Sequence, residues 1–209
     1  MERQYMKSNF ELRKMARANL NGNWGAGALL TVIINAIFLI AGFLFFPFSF
    51  LIYPIITGPL ILGLAGCFLF LIRKKTFRYE ILLDGFSNFR SAFFTFILSS
   101  FYIALWSLLF IIPGIIAIYR YSMAYYILHD NPDMSGSEAI KASKEMMKGY
   151  KGKLFMLHFS FIGWAILCFF TFYIGFFWLM PYIQTSITYF YQNLKAVQEE
   201  APLTEKEAV

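Results

Sequence analysis

Residues 18–72 read ANLNGNWGAGALLTVIINAIFLIAGFLFFPFSFLIYPIITGPLILGLAGCFLFLI, 55 positions without one Asp, Glu, Lys or Arg. A membrane-spanning helix needs about 20 apolar residues at about 1.5 Å each. This run is therefore too long for one crossing and long enough for two. Two more gaps repeat the pattern. Residues 91–129 hold a single charge, Arg120, and residues 154–194 hold none. Three gaps, each sized for a helix pair, predict an all-α polytopic membrane protein with six transmembrane helices arranged as three hairpins. The spans fall at about 25–46, 54–72, 91–112, 114–129, 154–172 and 176–194.

Punctuation inside the gaps supports the pairing. Pro47 and Pro54 bracket the first break, Pro113-Gly114 divides the second, and Gly175 and Pro181 lie in the third. Proline suits the first helical turn, where its missing N–H would have been unpaired anyway. Each return helix is thus expected to carry a proline near its outer end. For the short fourth span, the alternative is one long helix kinked at Pro113. Composition agrees: 59% of the residues are apolar, 21% aromatic and 14% charged, against about 25% charged in a soluble domain. That excludes a water-soluble enzyme, a disordered chain and a disulfide scaffold. Cys67 and Cys168 fall inside spans at no metal or redox spacing and read as packing residues. No metal set and no cofactor are expected.

Cations orient the hairpins. Arg3, Lys7, Arg13, Lys14 and Arg17 precede the first span, and Arg73, Lys74, Lys75, Arg78 and Arg90 separate the second from the third. Lys141, Lys144, Lys148, Lys151 and Lys153 separate the fourth from the fifth, while the opposite turns near 47–53, 112–114 and 173–176 carry none. The positive-inside rule then puts both termini in the cytoplasm. The net charge of +6 reflects this topology and attraction to anionic lipid rather than to nucleic acid. No cleavable signal peptide is evident, so the first span reads as an uncleaved anchor.

A threefold pattern runs through the chain. Ser8 with Glu11 and Ser135 with Glu138 form capping boxes, and a weaker start is expected at Thr76. Each short helix ends near a glycine (Gly22, Gly85, Gly149) followed by an aromatic (Trp24, Phe86, Tyr150). The whole reads as parallel repeats at about 8–72, 76–129 and 135–194 about a pseudo-threefold axis along the membrane normal. Amphipathic helices that arose independently before each hairpin are the alternative. Residues 1–195 form one integral membrane domain and 196–209 a short tail expected to be disordered. In the third short helix, Ala139, Ile140, Ser143, Met146 and Met147 share one face and Lys141, Lys144, Lys148 and Lys151 the other. This predicts an interfacial helix with its apolar side in the acyl boundary and its lysines among lipid phosphates. Trp24 is expected at the headgroup level.

The stretch Ile112 to Trp164, IPGIIAIYRYSMAYYILHDNPDMSGSEAIKASKEMMKGYKGKLFMLHFSFIGW, resembles a family of bacterial integral membrane proteins known as domain of unknown function 975. Pro113-Gly114, Tyr119-Arg120-Tyr121-Ser122-Met123-Ala124, Asp130-Asn131-Pro132, Ser137-Glu138-Ala139-Ile140 and Phe161-Ile162-Gly163-Trp164 carry the likeness. Asn21-Gly22-Asn23-Trp24 and Pro181-Tyr182 extend it over nearly the whole chain. Tyr125 stands where such proteins usually have a proline. The family is also distantly similar to the membrane domain of some glycerophosphodiester phosphodiesterases. The resemblance implies a multi-pass protein of the bacterial cytoplasmic membrane and transfers no catalytic residue.

Arg120 is the most informative candidate. It sits seven residues past Pro113, about 10 Å down its span, where an arginine costs roughly 2.5–3.5 kcal/mol. No carboxylate lies in any span to pair with it. The available partners are backbone carbonyls, Tyr119, Tyr121, Gln184, aromatic faces, water or an anionic ligand. A structural arginine bonded to carbonyls freed by the Pro113 break is as good a reading as a ligand site. Tyr182, Gln184, Thr185, Ser186 and Thr188 form a polar stretch that either lines a wet cavity with Arg120 or serves as interhelical glue. The two histidines, His129 and His158, lie on different spans, and no HExxH or GxSxG motif occurs. The expectation is a non-enzymatic membrane module that binds lipid, a membrane-protein partner or a second copy of itself. A transporter or channel component with an anion or lipid-headgroup path near Arg120 is the alternative. An intramembrane enzyme comes third, and it would need His158 within reach of Ser99, Ser100 or Ser107.

Overall fold

The computed structural model describes residues 6–206, with side chains through Glu200. Among these residues every regular element is helical. The elements are α1 (Asn9–Leu20), α2 (Trp24–Leu44), α3 (Ser49–Lys74), α4 (Ile81–Asp84), α5 (Phe89–Leu109), α6 (Ile111–Tyr121), α7 (Ala124–Asp130), α8 (Gly136–Met146), α9 (Lys151–Phe159), α10 (Ile162–Phe170) and α11 (Phe176–Lys206). Helices α2, α3 and α5, and the bent pairs α6–α7 and α9–α10, are long and apolar enough to cross a membrane. The sixth, α11, has the length and carries its first charge at Lys195. They form three hairpins: α2 with α3, α5 with α6–α7, and α9–α10 with α11.

Local chemistry sets the starts. Glu11 Oε2 accepts from Ser8 N at 2.7 Å while Ser8 Oγ accepts from Glu11 N at 3.3 Å. Glu138 and Ser135 make the same pair at 2.8 and 3.4 Å. Gly22 and Gly149 take the left-handed backbone (φ +82° and +77°) that only glycine adopts without strain. The middle copy differs. Its helix starts at Ile81 rather than Thr76, without a side-chain cap. Gly85 stays right-handed; a Cβ there would run into the Pro59 carbonyl oxygen, so its smallness serves packing. The prolines fall slightly deeper than expected. Pro54 and Pro181 are each the sixth residue of their helix, and Pro113 is the third residue of α6. Phe110 is extended (φ −161°, ψ 151°), so α5 and α6 are separate antiparallel helices and not one kinked rod.

Two spans are broken at positions that hold no proline, and a short helix supports each break. At the α6–α7 break, Ser143 Oγ of α8 accepts from Met123 N at 3.2 Å and donates to Arg120 O at 3.0 Å. One buried hydroxyl therefore satisfies both backbone groups that the break released. At the α9–α10 break, Arg13 Nη1 of α1 donates to Ser160 O at 3.1 Å.

Packing follows one cyclic rule. Each short helix lies on the return helix of the preceding hairpin: α4 on α3, α8 on α7, and α1 on α11. Each outgoing helix does likewise, with α5 on α3, α9 on α6 and α2 on α11. The return helices consequently occupy the centre.

Two expectations need correction. The apolar face of α8 is not in an acyl boundary: Ala139, Ile140, Ser143 and Met147 are buried in protein against α5, α6 and α7. Gly136 allows this, resting on the Ser91 carbonyl and Thr95 with no room for a Cβ. Residues 196–206 are helical rather than a disordered tail. Gln198 Nε2 donates to Met146 O at 3.0 Å, tying this extension to α8; residues 207–209 lie outside the described residues.

Candidate functional site

The predicted candidates separate into different surroundings. Tyr119 and Gln184 come together in a cavity of about 410 Å³ among the three return helices and α9. Ile61, Leu64 and Ala65 come from α3, Ile118, Tyr119, Ser122, Tyr125 and Tyr126 from α6–α7, Leu154 and His158 from α9, and Ile187 joins Gln184 on α11. No Asp, Glu, Lys or Arg is among the described residues that line it. Its polar groups are partly spent. Tyr126 Oη donates to Gln184 Oε1 at 3.5 Å, and Thr188 Oγ1 reaches Tyr126 Oη at 3.4 Å. His158 Nδ1 lies 3.0 Å from Leu154 O, and its ring packs edge-on against Tyr119 with centroids 5.5 Å apart. The hydroxyl of Tyr125 is buried without a hydrogen-bond partner. His158 thus bonds its own helix, not Ser99, Ser100 or Ser107.

Arg120 does not line this cavity. Its guanidinium lies over the Trp106 ring, 5.7 Å from the centroid, while its carbonyl serves the α6–α7 break. An aromatic face is one of the partners the sequence allowed, and it offsets part of the burial cost. Tyr121 is buried with Ala117, Ala124 and Ile140 and stacks obliquely on Tyr102. Thr185 is fully buried and donates to Pro181 O at 2.7 Å. Ser186 and Thr188 bond their own helix in the same i−4 manner, which satisfies buried hydroxyls without needing a partner from another helix. Lys141, Lys144 and Lys148 are exposed, and Lys148 pairs with Glu145.

Trp24 leads to a second recess, a groove of about 450 Å³ between α2, α10 and α11. Trp24, Trp164 and Trp178 wall it with Tyr182, Leu167 and Leu179. Trp24 meets Tyr182 edge-on with centroids 6.0 Å apart, and the Arg17 guanidinium lies over the Tyr182 ring, 5.6 Å from its centroid. Arg13, one turn earlier on α1, lies over Phe161, and its Nε is buried without a partner. Among the described residues, neither arginine has a carboxylate partner.

Sequence reasoning missed one cluster altogether. Asp130, at the end of α7, accepts from Arg73 of α3 at 2.9 Å, from Lys195 of α11 at 2.8 Å and from Tyr191 of α11 at 3.0 Å. It pins the three return helices together. The available signal was that Asp130 is the acid that closes the second charge gap. Nothing in the sequence pairs it with cations 57 and 65 positions away.

Two stretches, residues 6–120 and 108–198, match the family model described as Protein of unknown function (DUF975). The chain belongs to the DUF975 family. The match spans both recesses and the Asp130 cluster of this DUF975 protein, and it says nothing of glycerophosphodiester phosphodiesterases. No curated protein and no solved structure matches the chain.

Proposed function

We propose that this DUF975 protein is a non-enzymatic module of the bacterial cytoplasmic membrane that binds lipid, with both termini on the cytoplasmic side. The groove between α2, α10 and α11 carries the reading. Its walls are tryptophan and leucine, its mouth is Arg17 with Arg13 beside it, and neither guanidinium is neutralised by a described carboxylate. An apolar trough that ends at an unpaired cation suits an amphiphile with an anionic headgroup. Indole rings suit the headgroup boundary. Trp164, Leu167 and Trp178 remain about half exposed along it, so an acyl chain enters from the side. An anion path past Arg120 gains no such support, because Arg120 stands outside the cavity that holds Tyr119 and Gln184.

Native mass spectrometry of the purified protein with phosphatidylglycerol and phosphatidylcholine tests this. Preferential retention of phosphatidylglycerol is expected, reduced at least fivefold in Arg17→Gln and unchanged in Arg120→Gln. Equal retention of both lipids, or no effect of Arg17→Gln, would reject the reading. For the orientation, impermeant amine reagents on sealed vesicles should modify Lys74 and Lys144 from the same face.

A further inference from the structure

The central cavity shares no lining residue with the groove, and its chemistry differs. We propose that the cavity among α3, α6–α7, α9 and α11 binds a neutral alcohol carried on a hydrocarbon chain.

Charge selects first. With no Asp, Glu, Lys or Arg among its described lining residues, the cavity offers no opposite formal charge from those side chains to an ionised phosphate, carboxylate or ammonium. Such a group would lose its hydration and gain only neutral contacts. Size comes second: about 410 Å³ lies within the range of small-molecule sites. Ile118, 49% exposed, stands at its rim, where a chain can enter from the apolar surround.

Hydrogen bonding then narrows the headgroup. The Leu154 carbonyl can only accept, so His158 Nδ1, 3.0 Å from it, carries the ring proton. In the neutral imidazole this leaves Nε2 as an acceptor. Gln184 uses its Oε1 toward Tyr126, which leaves its amide N–H groups as donors without a described partner. The Tyr119 hydroxyl has no described partner either. Two lining groups, one in need of a donor and one of an acceptor, are both suited by a hydroxyl, which donates to His158 Nε2 and accepts from the Gln184 amide. A ketone or ether meets only the second demand and an alkane neither. The buried, unpartnered Tyr125 hydroxyl marks the same wall as polar and unsatisfied, an uncommon condition in a native interior unless a ligand or water completes it.

Three probes with one tail separate the possibilities: 1-tetradecanol, tetradecyl phosphate and tetradecylamine, each added to the intact protein in phosphatidylcholine nanodiscs. Native mass spectrometry should show at least tenfold more tetradecanol retained than either charged probe. Gln184→Leu and Tyr119→Phe should each lower that retention at least fivefold, while Arg17→Gln leaves it unchanged, since the groove is a different place. Should Gln184→Leu fail to fold, the wild-type protein still decides: the His158 Nε2 nitrogen resonance shifts on adding tetradecanol. Equal retention of all three probes, a cavity that holds only water, or an unmoved His158 resonance would each overturn the proposal.

Discussion

Each hairpin has an outgoing and a return helix, and their fates differ although both are apolar. In the outgoing helices α2, α5 and α9–α10, 17%, 11% and 17% of the most apolar stretch is buried in protein. In the return helices α3 and α6–α7 the shares are 67% and 50%. On α11, Thr185, Ser186, Thr188, Phe190 and Tyr191 are all buried. The difference lies in small and self-satisfied residues, not in hydrophobicity. On α3, Gly58 lies against the Ala92 carbonyl and Gly63 against the Leu82 backbone, so neighbouring chains approach without a Cβ between them. On α11, hydroxyls bonded to their own helix permit close packing without an orphaned polar group. The outgoing helices carry phenylalanines and leucines that face outward, such as Phe43, Phe101 and Leu108. Between two apolar solvents, lipid and protein, van der Waals fit decides which one a helix faces.

The strongest way to break this contrast is Gly63→Leu on α3. Its side chain would collide with Leu82 backbone atoms, and a loss of about 3 kcal/mol or more is expected in unfolding from mixed micelles. Next is Asp130→Asn, which removes the charge joining all three return helices. Breaking a fully buried pair costs about 3–5 kcal/mol. Because Arg73 and Lys195 are 37% and 34% exposed, solvent screening lowers the expected loss to about 2 kcal/mol. A smaller effect is expected from Ser135→Ala, about 1 kcal/mol through the lost cap of α8.

The same caps give a pH dependence. The N–H and hydroxyl of Ser135 hold the Glu138 carboxyl below its ordinary value, and the hydroxyl and N–H of Ser8 do so for Glu11. A depressed folded-state value means the contribution is complete above the unfolded carboxylate range. It is lost as pH falls through the folded values, so the amide protection factors in the first turns of α1 and α8 should fall there. At the small end, Phe101→Leu on α5, at a side chain 60% exposed, should change stability by no more than about 0.5 kcal/mol. A cost equal to that of Gly63→Leu would erase the distinction between the two helix classes.

Much of the candidate chemistry was legible one residue at a time, yet its grouping was not. Arg120 announces itself as the lone charge in its gap, but its place over Trp106 depends on the α5–α6 hairpin angle. Gln184 and Tyr119 stand out in the sequence, whereas His158 and Tyr125 join them only because α9 and α7 meet α11 and α3 around one space. Arg17 looked like one of five topology-setting cations, and nothing local says that Tyr182 and three tryptophans gather beside it. On α8 the spacing showed an apolar face correctly and its cover wrongly, since periodicity is the same whether lipid or protein lies opposite.

The sequence by itself determined that the chain is helical, that its apolar runs pair into three hairpins, and where the two helices with capping boxes begin. Those properties follow from the lengths of uncharged runs and from bonds between residues three positions apart. Only the tertiary structure decided which helices stand in the middle, what covers α8, which cations meet Asp130 and where two recesses are left open. These depend on contacts between distant segments, and the apolar effect that drives segments out of water does not choose between a lipid tail and another helix.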